Sequence, residues 1–230
     1  MKRTEQEHVI IVAGGRGLRA GSELPKQFRL IGGRPVLMHT IEAFHRYNPE
    51  ITIVVVLPDG FIDHWEELCR VHGFTLRHRT TAGGETRFHS VKKGLELIPP
   101  EGVVAVHDAA RPLVTPALID RCFATCAAQQ CGVIPVVRQT ESVRLLTGEG
   151  SRIFDREQLR VVQTPQVFPV AGLKEAYETP FDPSFTDDAS VAERHGLSIM
   201  LVEGEESNIK ITTPFDFLIA EQYLIDLPKR

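Results

Sequence analysis

Glycines and cations are concentrated between Val12 and Phe28, in the stretch VAGGRGLRAGSELPKQF. Because glycine has no Cβ, such a stretch can bring its backbone N–H groups close to a phosphate. Arg19 and Lys26 add positive charge, and Pro25 fixes the backbone directly before the lysine. We interpret the stretch as a cradle for a polyphosphate, with a lysine directed into it.

The same stretch fits two other nucleotide-binding patterns only in part or not at all. Gly15 to Ala20 fit the dinucleotide pattern G-x-G-x-x-G/A, which needs a helix starting inside it and an acidic residue about twenty positions later. Pro25 lies where that helix would run, and Asp59, after the next apolar run, comes too late. A Walker A loop is excluded because the sequence contains no Gly-Lys-Ser/Thr. A purely structural glycine turn stays open.

His107 and Asp108 directly follow the apolar run Val103 to Val106. A carboxylate at the end of a strand is well placed to hold a divalent metal bound to phosphates. The alternative is a helix N-cap, since Pro112 and Pro116 indicate a helix shortly afterwards. We favour metal binding for Asp108 and a packed role, rather than that of a base, for His107.

Further polar clusters follow other apolar runs. They are Ala82-Gly83-Gly84-Glu85-Thr86-Arg87, Thr164-Pro165-Gln166, Thr186-Asp187-Asp188-Ala189-Ser190 and Asn208-Ile209-Lys210-Ile211-Thr212. The third of these also fits a helix start capped by Thr186. The fourth resembles a short strand, on which Lys210 would be an ordinary surface lysine. The residues alone leave these alternatives open.

The elements that position these clusters alternate between strand and helix. Apolar runs predict strands, and apolar residues at helical spacing predict helices. The predicted strands are Val9 to Ala13, Ile51 to Leu57, Phe74 to His78, Val103 to Val106 and Gly132 to Val137. The predicted helices start near Pro35, Phe61, Ser90, Pro116 and Pro214. This order predicts an α/β fold, a doubly wound and mainly parallel Rossmann-like sheet whose strand ends bring the clusters to one crevice.

The pattern changes between Arg138 and Arg160. Polar and apolar residues alternate from Arg138 to Leu146, Thr147 to Gly150 read as a turn, and Ile153 and Phe154 resume an apolar run. This predicts a β-hairpin that protrudes from the main sheet. Since an isolated hairpin is marginally stable in water, we expect residues 138–160 to be a dimerisation arm.

Composition limits the class of protein. The 230 residues, 42% of them hydrophobic, suit a single domain over 1–230, and the formal net charge of −4 is unfavourable for general nucleic-acid binding. Met1 to Glu7 is charged, and no apolar run approaches the length of a membrane span, so a cytoplasmic protein without a membrane partner is expected. The four cysteines form no C-x-x-C pair, and reduced thiols are expected.

Six motifs follow one another from about Ile10 to Leu224: VAGGRGLRAGSELPKQF, AGGETRFHSV, VHDAARP, TPQVF, TDDAS and SNIKIT. Together they resemble the motifs of the 2-C-methyl-D-erythritol 4-phosphate cytidylyltransferase family. The resemblance implies a nucleotide-diphospho-sugar transferase type of fold and the transfer of CMP from CTP to a phosphorylated polyol, 2-C-methyl-D-erythritol 4-phosphate. The products would be 4-diphosphocytidyl-2-C-methyl-D-erythritol and pyrophosphate, with Mg²⁺ as cofactor, in isoprenoid precursor biosynthesis. The resemblance also implies a homodimer.

The resemblance further implies roles for individual residues. Around the triphosphate it places Ala13, Gly14, Gly15, Gly17, Arg19 and Lys26; around the cytidine, Gly84, Arg87 and Ser90; at the metal, Asp108 with Ala109 and Arg111 beside it. Near the acceptor phosphate it places Thr164, Thr186 and Lys210, while Thr140 and Arg156 reach the acceptor bound to the neighbouring subunit. Gln139 stands where the family more often has aspartate, which leaves the way Thr140 is held open.

The implied chemistry suits these residues. A phosphate monoester is already anionic near neutral pH, so its oxygen can attack without a general base. The reaction instead needs cations that bring two anions together and stabilise the phosphoryl oxygens, a task for Lys26, Arg19, Lys210 and Mg²⁺.

Other functions remain as alternatives. Among enzymes they are ribitol-5-phosphate cytidylyltransferase and a sugar-1-phosphate nucleotidyltransferase. An NAD-binding oxidoreductase and a non-catalytic nucleotide sensor are the alternatives of other classes.

Overall fold

The apolar run near the start of the chain forms the centre of the main sheet. This strand, β1 (Glu7–Val12), pairs in parallel with a strand on each side. Val9, Ile10 and Ile11 are fully buried, as expected for a strand covered on both faces. The structure is a computed structural model, and it describes residues 5–14 and 24–226.

The described residues form twelve strands and seven α-helices. The remaining strands are β2 (Leu30–Ile31), β3 (Arg34–Pro35), β4 (Thr52–Leu57), β5 (Arg79–Ala82), β6 (Val103–Asp108), β7 (Gly132–Arg138), β8 (Val143–Thr147), β9 (Gly150–Phe154), β10 (Arg160–Val162), β11 (Gln166–Pro169) and β12 (Ile199–Glu203). The helices are α1 (Val36–Tyr47), α2 (Ile62–Val71), α3 (Arg87–Glu96), α4 (Pro116–Gln129), α5 (Val170–Ala176), α6 (Asp188–Arg194) and α7 (Pro214–Asp226).

The main sheet has eight strands in the order β10-β7-β11-β6-β1-β4-β5, with β12 also paired to β7. The pairs β1–β4, β1–β6, β4–β5 and β7–β12 are parallel. Strands β10 and β11 run antiparallel to their neighbours, so the sheet is mixed and mainly parallel. The predicted Rossmann-like class is confirmed, whereas no sequence pattern had indicated the insertion of β11 between β6 and β7.

Helices cover both faces of this sheet. Side chains of α1, α2 and α4 pack on one face, against β-strand residues such as Val9 and Ile11. Side chains of α3, α5 and α6 pack on the other face, against Ile10 and Val54. A smaller cluster under α7 contains Ile31, Ile211 and Phe217 and lies beside the carboxyl end of the sheet. This is the doubly wound arrangement that the alternating pattern predicts.

Three sequence predictions about elements are wrong in detail. The third strand is Arg79–Ala82 instead of Phe74 to His78, because Phe74 packs against Trp65 of α2. Residues 208–212 form no strand; their backbone instead bonds to neighbouring loops, for example from Ile211 N–H to the Ala110 carbonyl. The cap of α6 is Asp187, whose carboxylate accepts the Ser190 N–H, and not Thr186.

Residues 138–160 contain the predicted hairpin. Strands β8 and β9 pair only with each other, from Val143 opposite Phe154 to Thr147 opposite Gly150, with the turn where it was predicted.

Among residues 5–14 and 24–226, none of the helices has both the length and the apolar character that crossing a bilayer requires.

Candidate active site

A cleft of about 910 Å³ opens at the carboxyl ends of β1, β4, β5 and β6. The strand register explains why it forms there, since Val12 lies opposite both Val56 and Asp108, so that the loops after these strands begin side by side. The lining contains nine residues predicted for the site: Ala13, Gly14, Lys26, Gly84, Arg87, Ser90, Asp108, Ala109 and Lys210. It also contains Gln27, Asp59 and Lys93, which the sequence analysis did not select.

One wall of the cleft is formed by backbone from two glycine loops. A Cβ placed on Gly14 or on Gly83 would lie 2.9 Å from Ser90 Oγ, and on Gly83 also 3.2 Å from the Leu57 carbonyl. Ser90 Oγ accepts the Gly84 N–H at 3.1 Å and donates to the Thr86 carbonyl at 2.9 Å. Larger residues would therefore displace this serine, and the wall presents peptide groups that a flat ring can approach closely.

Lys26 also lines the cleft, at the start of a 3-10 turn (Lys26–Phe28) that follows Pro25. Its Nζ donates to the Ile211 carbonyl at 2.7 Å, a contact between residues far apart in sequence. The next side chain, Gln27, is buried and donates from Nε2 to the Ala13 carbonyl at 2.5 Å, which attaches the turn to the end of β1. The turn thus brings the ammonium group to the cleft.

Asp108 is surrounded by three cations. Its Oδ2 lies 2.9 Å from Lys210 Nζ and 3.3 Å from Arg111 Nε, while Oδ1 lies 3.9 Å from Arg87 Nε. Burial alone would raise the pKa of Asp108, but Arg87, Lys210 and Arg111 outweigh burial and hold this pKa well below its ordinary value. The carboxyl is therefore ionised, and Lys210 is an ion-paired residue of the cleft rather than an ordinary surface lysine.

The helix-cap alternative for Asp108 is wrong. Helix α4 starts at Pro116 and is capped by Thr115, whose Oγ1 accepts the Leu118 N–H. Asp108 is instead the last residue of β6 and lines the cleft.

Arg111 and Thr164 support Asp108 from behind. Both are buried; Thr164 Oγ1 accepts the Asp108 N–H at 3.1 Å, and Arg111 Nη1 donates to the Asn208 carbonyl at 2.7 Å. Asn208 in turn donates from Nδ2 to the Thr164 carbonyl at 2.8 Å. Arg111, predicted beside Asp108, and Thr164, predicted near the acceptor, are thus placed beneath the cleft, next to the chain segment that carries Lys210.

His107 is packed, as predicted. It has no exposed surface, its ring meets Phe44 edge-on at 5.0 Å between centroids, and its nitrogens lie 3.0 Å from Thr164 Oγ1 and 3.2 Å from the Arg111 carbonyl. Burial lowers the pKa of His107 to about 4. A neutral, enclosed imidazole of this kind is a packing residue.

Arg87 has an acidic partner that the sequence analysis used only as part of a helix start. Its Nη1 and Nη2 donate to Asp188 Oδ1 and Oδ2 at 2.8 and 2.6 Å. Asp188 has no exposed surface and also accepts the Tyr177 hydroxyl at 2.7 Å. The motif TDDAS carried the signal, but one sequence cannot show which distant cation faces the second aspartate.

Thr140, Arg156 and Thr186 lie outside the lining of this cleft and are exposed. Arg156 Nη1 donates to the Thr140 carbonyl at 2.6 Å, so the structure brings these two predicted residues together at the base of the hairpin. Gly15, Gly17 and Arg19, the other predicted residues of the first loop, lie outside the residues that the structure describes.

The donor set at Asp108 fits a magnesium ion that takes its other ligands from phosphates. Within the described part of the chain, no group of three or more His, Cys, Asp or Glu residues could hold a metal by itself. Mg²⁺ commonly uses one or two carboxylates together with substrate phosphates and water. Oδ2 of Asp108 is engaged by Lys210 and Arg111, which leaves Oδ1, on the Arg87 side, as the oxygen suited to a metal.

The cleft can therefore bind a polyanion. The peptide wall and four cations border the same space: Lys26, Arg87, Lys93 and Lys210. Three acidic residues also line it: Asp59, Glu85 and Asp108. Asp108 is paired with two of these cations, Arg87 and Lys210. The volume of the cleft falls within the usual range for small-molecule sites.

Comparisons with known proteins agree on one family. A family model described as "IspD: 2-C-methyl-D-erythritol 4-phosphate cytidylyltransferase" matches residues 7–226. A protein of that name from Bacteroides fragilis is 54% identical over 215 residues, covering 94% of this chain and 98% of its own.

Solved structures show the same similarity. The 4-diphosphocytidyl-2C-methyl-D-erythritol synthase of Anaerococcus prevotii superposes with a TM-score of 0.80 at 26% identity, covering 96% of both chains. The 2-C-methyl-D-erythritol 4-phosphate cytidylyltransferase of Thermus thermophilus superposes with a TM-score of 0.76 at 31% identity, covering 96% of this chain and 100% of the other.

Proposed function

Because the chain belongs to the 2-C-methyl-D-erythritol 4-phosphate cytidylyltransferase family, we propose that it transfers the cytidylyl group of CTP to 2-C-methyl-D-erythritol 4-phosphate. The protein is a nucleotidyltransferase, and the reaction releases pyrophosphate in the biosynthesis of isoprenoid precursors. The observation that supports this most directly is the convergence of Lys26, Lys210 and Asp108 on one cleft beside a wall of peptide groups.

The reaction joins two anions. An oxygen of the acceptor phosphate attacks the α-phosphorus of CTP, and the bond from that phosphorus to the bridging oxygen of pyrophosphate breaks, so the leaving pyrophosphate carries away the electron pair. The attacking oxygen is already ionised near neutral pH. No residue has to remove a proton, which agrees with the enclosed position of His107.

Lys26 and Lys210 supply the positive charge that this step needs. Lys26 would contact the triphosphate from the first loop, together with Arg19, and Lys210 would border the acceptor phosphate and the reacting centre. Charges fixed by the fold stabilise a transition state without the cost of reorganising solvent. Both ammonium groups are held by specific partners, the Ile211 carbonyl and Asp108 respectively.

The nucleoside would lie against the peptide wall. Ala13, Gly14, Gly84 and Ser90 border the part of the cleft where a base can approach backbone N–H and C=O groups. The close packing of Gly14 and Gly83 on Ser90 limits the room there, which favours the smaller pyrimidine ring over a purine. Arg87 borders the same part of the cleft and is fixed by Asp188.

Asp108 would hold Mg²⁺ through Oδ1, with phosphate oxygens as the other ligands. When bound, the ion neutralises charge on the triphosphate. Ala109 and Arg111 lie beside Asp108, and Arg111 keeps its Oδ2 oriented.

The acceptor side is proposed to involve a second copy of the chain. Leu146 and Ile153 in the hairpin are 82% and 79% exposed, an unfavourable state for large apolar side chains on a protruding two-stranded sheet. Residues 138–160 would act as a dimerisation arm that carries Thr140 and Arg156 to the acceptor of the neighbouring subunit, near Thr164 and Thr186. The cytoplasmic location stays a prediction.

The test is the release of pyrophosphate by the purified protein with CTP and Mg²⁺. We expect turnover with 2-C-methyl-D-erythritol 4-phosphate and little with ribitol 5-phosphate, the acceptor of the related activity. Faster release with ribitol 5-phosphate would contradict the proposed acceptor, and release with neither would contradict the proposed reaction.

A further inference from the structure

Asp188 holds Arg87 in a single orientation. Its two carboxylate oxygens accept the two terminal nitrogens of the guanidinium at 2.8 and 2.6 Å, a bidentate geometry that fixes both the position and the plane of the arginine. Asp188 is fully buried, whereas the Arg87 side chain is 30% exposed and borders the cleft. The aspartate is therefore the fixed partner of this pair and the arginine is the one that could move.

Two further residues fix the aspartate itself. The Tyr177 hydroxyl donates to Asp188 Oδ1 at 2.7 Å, and the Tyr177 ring stacks on Phe88 at 4.7 Å between centroids. Gln166 of β11 accepts the Ala189 N–H and donates to Asp187, both at 2.9 Å, which attaches the start of α6 to the strand beside β6. The carboxylate is thus held by Tyr177, directly after α5, while Gln166 of β11 holds the start of the helix that carries it.

Arg87 lies between this support and the reacting groups. Its Nε is 3.9 Å from Asp108 Oδ1, close enough for electrostatic attraction but too far for a hydrogen bond. The other oxygen of Asp108 binds Lys210 at 2.9 Å. Released from Asp188, the guanidinium would have Asp108 as its nearest carboxylate. A bidentate contact there would occupy Oδ1 and compete with Lys210 for Oδ2.

We propose that Asp188, supported by Tyr177, is a positioning residue that acts through Arg87 to keep Asp108 available to Lys210. This inference rests on the proposed function, because it assigns Lys210 to the transfer step. Asp188 itself touches neither substrate. Its effect belongs to turnover rather than to binding, since the misplaced group would be the one that stabilises the transition state.

The test uses the full-length protein in four forms: wild type, Asp188→Asn, Arg87→Gln and the double variant. Asparagine keeps the shape and the contact with Tyr177 but removes the charge that holds the guanidinium. For Asp188→Asn we expect kcat to fall by roughly 10- to 100-fold, with KM for the acceptor changed by less than about threefold. Glu193→Gln, an exposed acid on the same helix, is the matched control and should leave kcat unchanged.

The double variant separates positioning from stability. Arg87→Gln leaves a buried carboxylate without its cation, so its Tm should fall, and adding Asp188→Asn should recover part of that loss. Since Asp188 acts through Arg87, the double variant should have the kcat of Arg87→Gln alone, although it is the more stable protein. A purely structural role would restore kcat along with Tm.

Tyr177→Phe is a second, milder variant. It removes one hydroxyl and keeps the ring stacking, so we expect a smaller fall in kcat in the same direction. The inference is overturned if Asp188→Asn keeps kcat within about twofold of wild type, or if the losses of the two single substitutions multiply in the double variant. A wild-type protein that releases no pyrophosphate would show, before any substitution is compared, that the proposed function has failed and the inference with it.

Discussion

At the scale of single residues, Lys26 is the sharpest test of the proposed reaction. Lys26→Ala removes one donor to the transition state, so we expect turnover to fall by on the order of a hundredfold or more. Lys174→Ala is a matched control, because Lys174 also donates to a backbone carbonyl, that of Ile98, but lies outside the lining of the cleft. Pyrophosphate release measures both, and equal rates in the two variants would remove Lys26 from the mechanism.

Gly83 tests the peptide wall. Gly83→Ala would place a Cβ 2.9 Å from Ser90 Oγ and 3.2 Å from the Leu57 carbonyl, so the serine or the loop has to shift. We expect the Kd for CTP, measured by calorimetry, to rise about tenfold or more, equivalent to at least about 1.4 kcal/mol.

Gly148→Ala is the control for that substitution. Gly148 lies in the turn of the hairpin, where no heavy atom of the described chain approaches its Cβ position within 4 Å. This variant should bind CTP like wild type. Unchanged CTP affinity in Gly83→Ala would place the nucleoside elsewhere.

Because His8 of β1 is buried, we expect the stability of the protein to depend on pH. Burial lowers the pKa of His8 below its ordinary value of 6.5, so the folded protein holds the imidazole neutral while the unfolded chain takes up a proton below that pH. Its contribution to the free energy of unfolding is full above pH 6.5 and is lost as the pH falls, by at most about 1.4 kcal/mol per pH unit.

Denaturant unfolding between pH 7 and 5 measures this loss. His8→Gln should show a shallower fall than wild type, and the fall should not vanish, because burial also lowers the pKa of His39, His78 and His107. An identical slope in the two proteins would contradict the assignment to His8.

At the scale of elements, the hairpin of β8 and β9 is the part whose role depends on another molecule. Leu146→Asp puts a charge on its most exposed apolar position, so we expect a dimer to become a monomer in light scattering after size exclusion. KM for the acceptor should rise several-fold while CTP affinity stays constant, because Thr140 and Arg156 lie at the base of the hairpin.

Val71→Asp provides the comparison, since Val71 is 63% exposed at the end of α2, away from the hairpin. Its oligomeric state should match that of wild type. A monomeric wild-type protein, or a dimer that survives Leu146→Asp, would contradict the proposed role of the arm.

Elements with a strong period were predictable from the sequence. Helix α4 starts at the predicted residue, Pro116, because a proline suits the first helical position and the apolar residues that follow repeat at helical spacing. The weak elements were not predictable. Phe74 to His78 has the composition of a strand, yet Phe74 packs on Trp65 and pairing with β4 starts only at Arg79. Tertiary packing outweighs local propensity at such places.

At the scale of the whole molecule, the site combines residues from distant parts of the chain. The rule that ligands bind at the carboxyl ends of parallel strands was sufficient to bring Gly14, Gly84 and Asp108 together in advance. The same rule could not predict the pairing of Arg87 with Asp188. That pairing depends on β11, which runs antiparallel and holds the start of α6 at the same end of the sheet. No local pattern records such a contact.

The overall charge could be predicted from the sequence, but the local distribution of charge at the cleft could not. The formal net charge is −4, yet Arg87, Arg111 and Lys210 surround a single carboxylate at the cleft. Composition alone could exclude a general polyanion-binding surface but not a local one. A site for a small, highly charged ligand is therefore compatible with an acidic protein.

The contact between Lys26 and the Ile211 carbonyl links the ammonium group of Lys26 to the chain segment that carries Lys210. Lys210 is the neighbour of Ile211, whose own N–H is bonded to the Ala110 carbonyl, so one short length of backbone fixes both lysines relative to β6. The gap between the two charges consequently depends on the backbone at residues 210–211 as well as on the two lysine side chains. Inserting a single residue between Asn208 and Ile211 would shift both lysines at once. This segment therefore helps to set the distance at which two phosphates can meet.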